Sequence, residues 1–311
     1  MPSNYLPNMK LLILLIPFML SSHLFSQQLA DTTYDPNIRS PAYDKGKGSV
    51  VFIDEGHHNF HTKSGRYKAF SNLLERDGYN VHPYSGVFKR NELAKGKILV
   101  ISNALHERNV NDWFIPVSSA FTKSEIAVVR EWVYTGGSLF LIADHMPMGG
   151  AAKDLAAAFN FEFTNGFVFD SIAKGPAYFT LQDGTLAESI ITKGRSSSES
   201  VRQIATFTGQ AIKVPEDATS ILTFTANYVI RFPDTAWVFH EETNKVNAGG
   251  WSQGAYKKFG RGKIVVFGEA AMFTAQVSGP GRIKMGMNHE SASGNYQLLL
   301  NIIHWLDGKL D

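Results

Sequence analysis

The chain has 311 residues, with 30 Lys and Arg against 28 Asp and Glu for a net charge of +2, and 44% of its residues are hydrophobic. At roughly 150 residues per domain this is one or two domains with a sizeable core, and a disordered, collagenous or low-complexity chain is excluded. Charges of both signs are interspersed, so no basic face for nucleic acid is expected. The absence of cysteine removes disulfides, Cys-based zinc sites, iron–sulfur clusters, thiol nucleophiles and a cysteine lipid anchor.

Lys10 precedes an apolar run from Leu11 to Leu20, followed by the small and polar residues around Ser21, Ser22 and Ser26. This pattern predicts a secretory signal peptide over residues 1–26, cleaved near Ser26, and an exported, periplasmic or secreted protein. The apolar run is shorter than the ~20 residues of a membrane helix, and no later stretch approaches a span. Residues 27–48, with Pro36, Pro41, Gly46 and Gly48, read as a leader or linker.

Regular structure is expected from residue 49. Ser49–Asp54 is a β-branched apolar run between glycines, as suits a strand buried on both faces. Helical spacing of Tyr67, Phe70, Leu73 and Leu74 predicts a helix over 65–77, stopped by Asp77-Gly78. Strands follow at 79–82 and, more strongly, at 97–102. Thr122 and Glu125 form a capping-box pattern opening a helix that runs to Gly136-Gly137. A fourth strand at 138–144 and an Ala-rich helix at 151–159 complete repeated strand–helix units. These predict an α/β fold with a parallel sheet and helices on both faces.

From about 160 to 247 short Phe-, Thr- and Val-rich segments alternate with turn residues, among them Thr219–Phe224 and Thr235–Phe239, and read as a β-rich insertion. The α/β pattern resumes with a strand at 263–269 and an amphipathic helix at 295–306. Residues 49–308 are therefore expected to form a single domain carrying this insertion.

Four features carry a resemblance: the opening strand with Asp54-Glu55-Gly56-His57; the junction from Thr122 through Trp132-Val133 to Gly136-Gly137-Ser138; the strand ending Phe267-Gly268-Glu269; and the terminal Asn301-Ile302-Ile303-His304-Trp305-Leu306. Over residues 49–160 and 236–308 the chain resembles the class I glutamine amidotransferase-like superfamily, nearest to its exported bacterial domains of unknown function. It is also similar to the trehalose-utilisation type. The resemblance implies a flavodoxin-like parallel sheet. The family's cysteine nucleophile has no counterpart, so thiol-based glutamine hydrolysis is excluded. Asp144-His145 stands at the turn where the family places that nucleophile.

Open α/β sheets bind ligands outside the carboxyl ends of their strands. Six of the nine histidines after the signal segment fall just past expected strands: His57, His58, His61, His106, His145 and His289. With carboxylates beside them they suit a divalent transition metal, zinc foremost, with His57, His61, Asp54, Glu269 and His289 as candidate ligands. Asp144, His145 and Glu55 are candidate catalytic groups, and Asn59, Asn103, Met148 and Glu290 candidate substrate contacts. His82, His240 and His304 read as structural. The glycines of 249–254 lack the dinucleotide-binding context, and Gly260-Arg261-Gly262-Lys263 precedes a strand and so is a turn.

Two functions are therefore expected. One is an exported hydrolase-like protein, metal-assisted, acting on a small molecule or glycan. The alternative is a non-catalytic module binding carbohydrate or another envelope component.

Overall fold

A computed structural model describes Met1 and residues 28–310; the expected signal segment and its cleavage point lie outside the described residues. The main sheet contains β1 (Val50–Asp54), β2 (Asn80–Tyr84), β3 (Ile98–Ser102), β4 (Ser138–Ile142), β5 (Glu162–Phe163), β6 (Ile212–Lys213), β7 (Thr219–Thr223), β8 (Ser252–Phe259) and β9 (Gly262–Phe267). Its order is β2-β1-β3-β4-β9-β8-β6-β5, with β7 also paired to β8. The neighbours from β2 to β9 pair in parallel, whereas β8 and β9 form an antiparallel hairpin. The fold is α/β with a large, mainly parallel sheet.

The continuous apolar runs explain the sheet's interior position. Every residue of β3 and β4 is buried. Ile98, Val100, Phe140, Ile142, Val265 and Phe267 join one core cluster with Phe70, Leu73 and Leu74 of α1 (Lys68–Arg76). The helix α4 (Asn295–Asp307) adds Leu298, Leu299, Ile302 and Ile303 to this cluster. The alternate residues Leu99, Ile101, Leu139, Leu141, Ile264 and Val266 pack instead with α2 (Lys123–Tyr134) and α3 (Met148–Ala157). Each fully buried Leu- or Phe-sized side chain contributes about 1.5–3 kcal/mol.

Local signals place the helices well. At the start of α2, Thr122 Oγ1 accepts from the Glu125 N–H at 3.2 Å, and the Thr122 N–H donates to Glu125 Oε2 at 3.0 Å. Helix α3 begins at Met148, earlier than the expected 151, because Gly149-Gly150 lies inside it. These glycines leave room for docking: a Cβ at Gly149 would lie 2.5 Å from Gln210 Nε2, and one at Gly150 would lie 2.9 Å from the Asn165 side chain.

Three expectations are corrected. Thr235–Phe239 is a loop, not a strand, with Trp237 at φ +67°, outside extended backbone. Residues 252–259, for which no element was expected, form the long antiparallel strand β8; Gly254 suits it because a Cβ there would meet the Phe267 ring at 2.6 Å. Residues 28–48 are tied into the fold: Gln28–Ala30 pairs with Ala275–Ser278, and Tyr34, Ile38 and Tyr43 pack on the core.

The insertion is likewise attached to the sheet, supplying β5, β6 and β7. It also contributes a three-stranded sheet of Phe167–Asp170, Tyr228–Phe232 and Asn244–Asn247. Two buried asparagines of α4 hold it. Asn295 accepts from the Ala205 N–H at 3.0 Å and donates to the Ala205 carbonyl at 2.7 Å, while Asn301 donates to the carbonyls of Ile191 and Glu199 at 2.8 and 2.9 Å. His304 Nε2, deeper in the helix, meets Asp77 Oδ2 at 2.6 Å in full burial, whereas His82 and His240 are exposed. Among the described residues no helix is long and apolar enough to cross a membrane.

Asn295→Ala is expected to lower stability by about 1–3 kcal/mol for each backbone group left unpaired. Urea unfolding measures this; a variant within about 0.5 kcal/mol of the parent, as surface substitutions usually are, would show that Asn295 does not anchor the insertion.

Candidate functional site

The ends of β1, β3, β4 and β9 lie together because these strands are parallel and their order is β1-β3-β4-β9. Three groups of side chains form there.

The first is a closed clamp. His57 Nδ1 meets both Asp54 oxygens at 2.9 Å, and its Nε2 meets Glu125 Oε1 at 2.9 Å. The ring is buried between Phe88 and Phe121, with centroids 4.5 and 4.8 Å away. Burial disfavours the charged imidazole, but Asp54 and then Glu125 outweigh it and hold His57 above its ordinary pKa. Burial also opposes the Glu125 charge, yet the hydrogen bonds from His57 and Thr122 keep that carboxyl below its usual value. Asn59 supports the clamp, donating to Asp54 Oδ2 at 3.0 Å and accepting from the His57 N–H at 3.0 Å. Both ring nitrogens of His57 are thus engaged, leaving none for a metal.

The second group is a buried polar cluster. Ser102, the last residue of β3, is 3.3 Å from His61 Nδ1 and donates to the Tyr67 hydroxyl at 3.0 Å. The His61 ring lies 4.7 Å from that of Tyr67. His61 is buried, not solvated; burial, assisted by the Arg66 charge, pushes its pKa down to about 3, so it is neutral.

Glu269 follows β9 and is fully buried. Its oxygens accept from the Ala271 and Met272 N–H groups at 2.9 and 2.8 Å. Burial first, and the Asp144 charge second, raise its pKa well above the ordinary carboxyl value, against the backbone donors of Met272, Ala271 and Phe207. Asp144 keeps a partly open side chain, 14% exposed. Asn103 joins the loops: at φ +48° it accepts from the Asp144 N–H at 2.9 Å, while its own N–H donates to the Ile142 carbonyl at 3.0 Å. Asparagine tolerates this left-handed backbone. Gln210 Nε2 adds bonds to the Ala143 and Asp144 carbonyls at 2.8 and 3.1 Å.

The third group surrounds His145. Its Nδ1 donates to the Met146 carbonyl at 2.7 Å, and Nε2 lies 4.0 Å from Asp144 Oδ1. Phe167 stacks on the ring at 4.2 Å, and Trp237 meets it edge-on at 4.7 Å. The insertion therefore walls this side of the edge.

The remaining candidates lie apart. Glu55 Oε1 accepts the Lys63 N–H at 2.7 Å, capping its own loop. Met148 is buried in the core with Leu155 and Ile212. His289 bonds Ser291 at 2.7 Å, and Glu290 beside it is exposed. Among the described residues no three His, Asp or Glu side chains converge as metal ligands do. Sequence reading missed Glu125, Tyr67 and Gln210 as site residues. Of these, only Glu125 had a signal, and its capping role accounted for it.

His57 and Glu269 both have raised pKa values. Each therefore contributes stability that is full below its unfolded value, 6.5 and 4.5 respectively, and is lost as pH rises through its folded value. Melting temperature is expected to fall from about pH 4.5 upward as Glu269 loses its contribution, and further above about pH 6.5 as His57 does, and Glu269→Gln, which stays neutral, to flatten the first part of that fall. Calorimetry across this range checks it, and parallel curves for parent and variant would refute the Glu269 contribution.

No protein-family model and no curated protein matches the sequence. Solved structures do resemble the fold. The mmIFT52 N-terminal domain superposes with a TM-score of 0.56 at 13% identity, covering 83% of this chain and 97% of that one. A putative ThuA-like protein from Bacteroides uniformis gives 0.47 at 11% identity, covering 89% and 96%. A putative GMP synthase protein from Thermoplasma acidophilum gives 0.42 at 10% identity, covering 84% and 94%. At these identities the likeness concerns the fold alone.

Proposed function

We propose that this chain is an exported hydrolase-like protein of the amidotransferase-like superfamily, working on an ester, amide or phosphoester of a small molecule or glycan. The parallel order β2-β1-β3-β4-β9 supports a flavodoxin-like reading of the sheet, and the pattern of residues 1–26 supports export. The observation that carries the reaction is the carboxyl pair at the ends of β4 and β9, in which burial and the charge of Asp144 raise the pKa of Glu269 while Asp144 stays partly open.

In this scheme Asp144, the member that reaches solvent, is the general base. It takes a proton from water as the oxygen bonds to the scissile carbon or phosphorus, then returns that proton to the leaving group as the old bond breaks. Glu269 is a positioning residue: its raised pKa disfavours a second charge beside Asp144. His145 Nε2 lies 4.0 Å from Asp144 Oδ1, under the cover of Phe167 and Trp237. The candidate metal ligands do not fit a shared ion: both ring nitrogens of His57 are held by carboxylates, and among the described residues no three His, Asp or Glu side chains converge. The hydrolysis proposed therefore proceeds without one.

Asp144→Asn should reduce turnover of a responsive nitrophenyl ester, amide, phosphoester or glycoside by about 10²–10⁴-fold, the usual size of a general-base contribution. Glu269→Gln should spare most activity at neutral pH but remove the alkaline limb of the pH–rate profile, and a chelator should change nothing. No turnover across the substrate panel, or full activity in Asp144→Asn, would defeat the hydrolase reading. Chelator-sensitive turnover would restore the metal.

A further inference from the structure

Beside the Asp144–Glu269 pair, but lined by other residues, the insertion and the 283–289 segment enclose a cleft of about 580 Å³. Small-molecule sites span roughly 300–1,000 Å³ and are mainly apolar with a few placed polar groups. This cleft has that character. Phe169, Phe207, Phe224 and Tyr228 line it, together with Ile283 and Met285.

Two of its polar side chains are buried and incompletely bonded. Gln253, 1% exposed, donates through Nε2 to the Thr208 carbonyl at 2.7 Å. That bond fixes the amide's orientation and leaves Oε1 an acceptor without a partner. Thr206, also 1% exposed, lines the same cleft with an unpartnered Oγ1. Unsatisfied buried polar atoms are uncommon; both lie beneath the cleft surface, so a ligand meets them once the lining side chains shift.

Charge supplies the remaining element. Lys174 and Lys284 line the cleft and are exposed. Among the described residues the lining carboxylate is Asp170, which accepts the N–H groups of Ile172 and Ala173 at 2.8 and 3.2 Å and so is turned to its own loop. Two lysine ammonium groups against this one lining carboxylate, whose charge also acts on Tyr228, leave the lining net positive for an incoming ligand.

We propose that this cleft binds a small amphipathic anion. Its apolar ring lies among the phenylalanines, a hydroxyl or N–H donates to Gln253 Oε1, and a carboxylate or other acidic group faces Lys174 and Lys284. This inference does not rest on hydrolysis at Asp144.

The test is calorimetric titration of the full chain with 3-(4-hydroxyphenyl)propionate, with the same acid lacking its hydroxyl, and with the corresponding hydroxyphenyl amide. The hydroxy acid is expected to bind one per chain. Removing the hydroxyl should weaken binding roughly two- to tenfold, the range of a net hydrogen bond. Removing the charge should weaken it several-fold, and Lys174→Ala/Lys284→Ala should erase the difference between acid and amide. Both lysines are exposed, so the double variant should fold. Asp144→Asn should bind the hydroxy acid as the parent does, which separates this result from the hydrolase reading. Equal affinity for acid and amide, or no saturation by any of the three up to about 10 mM, near the weak limit of specific binding, would overturn the proposal.

Discussion

The two central parallel strands, β3 and β4, impose the constraint from which the rest of the molecule follows. Their side chains must be apolar along nearly the whole length, as every residue of β3 and β4 is buried. Polar groups are consequently displaced to the strand ends. At the carboxyl ends of β1, β3, β4 and β9 they meet in a small space, where each requires a hydrogen-bonding or charged partner.

The partners found there differ in what they leave available. Asp54, His57 and Glu125 satisfy one another and join the first loop to α2; losing one would strand a buried charge, which is the main reason such a clamp rigidifies a loop. Asp144 and Glu269 cannot satisfy each other in the same way. Two carboxyls cannot both ionise comfortably there, so the pKa of the buried one is driven up while the other stays partly open. Reactivity is easier to place on an incompletely satisfied pair than on a closed clamp.

The insertion modifies this edge instead of standing apart from it. Phe167 and Trp237 cover His145, while Gln210 reaches the backbone beside Asp144. The Phe207 N–H bonds Glu269, and its ring lines the apolar cleft. The floor of the cleft and the carboxyl edge are therefore adjacent parts of one scaffold, fixed through Asn295 and Asn301 of α4.

The sequence by itself determined the features that depend on neighbours a few residues away. The apolar runs marked β1, β3, β4 and β9, the capping box opened α2, and the repeated strand–helix order implied the α/β class. It also placed Asp144 and Glu269 just past strand ends. Only the tertiary structure decided which polar groups pair. His57 meets Glu125 across 68 positions of chain, an encounter with no local periodicity to announce it. The long strand β8 carries Gly254, which suits it because Phe267 occupies the space a side chain would need. The Thr235–Phe239 segment has strand composition but folds as a loop, because its aromatic rings pack on His145 and Phe167 instead of joining a ladder. Short-range preferences can be read along the chain, whereas the pairing of charges and the use of aromatic surface depend on strand order and on contacts between distant segments.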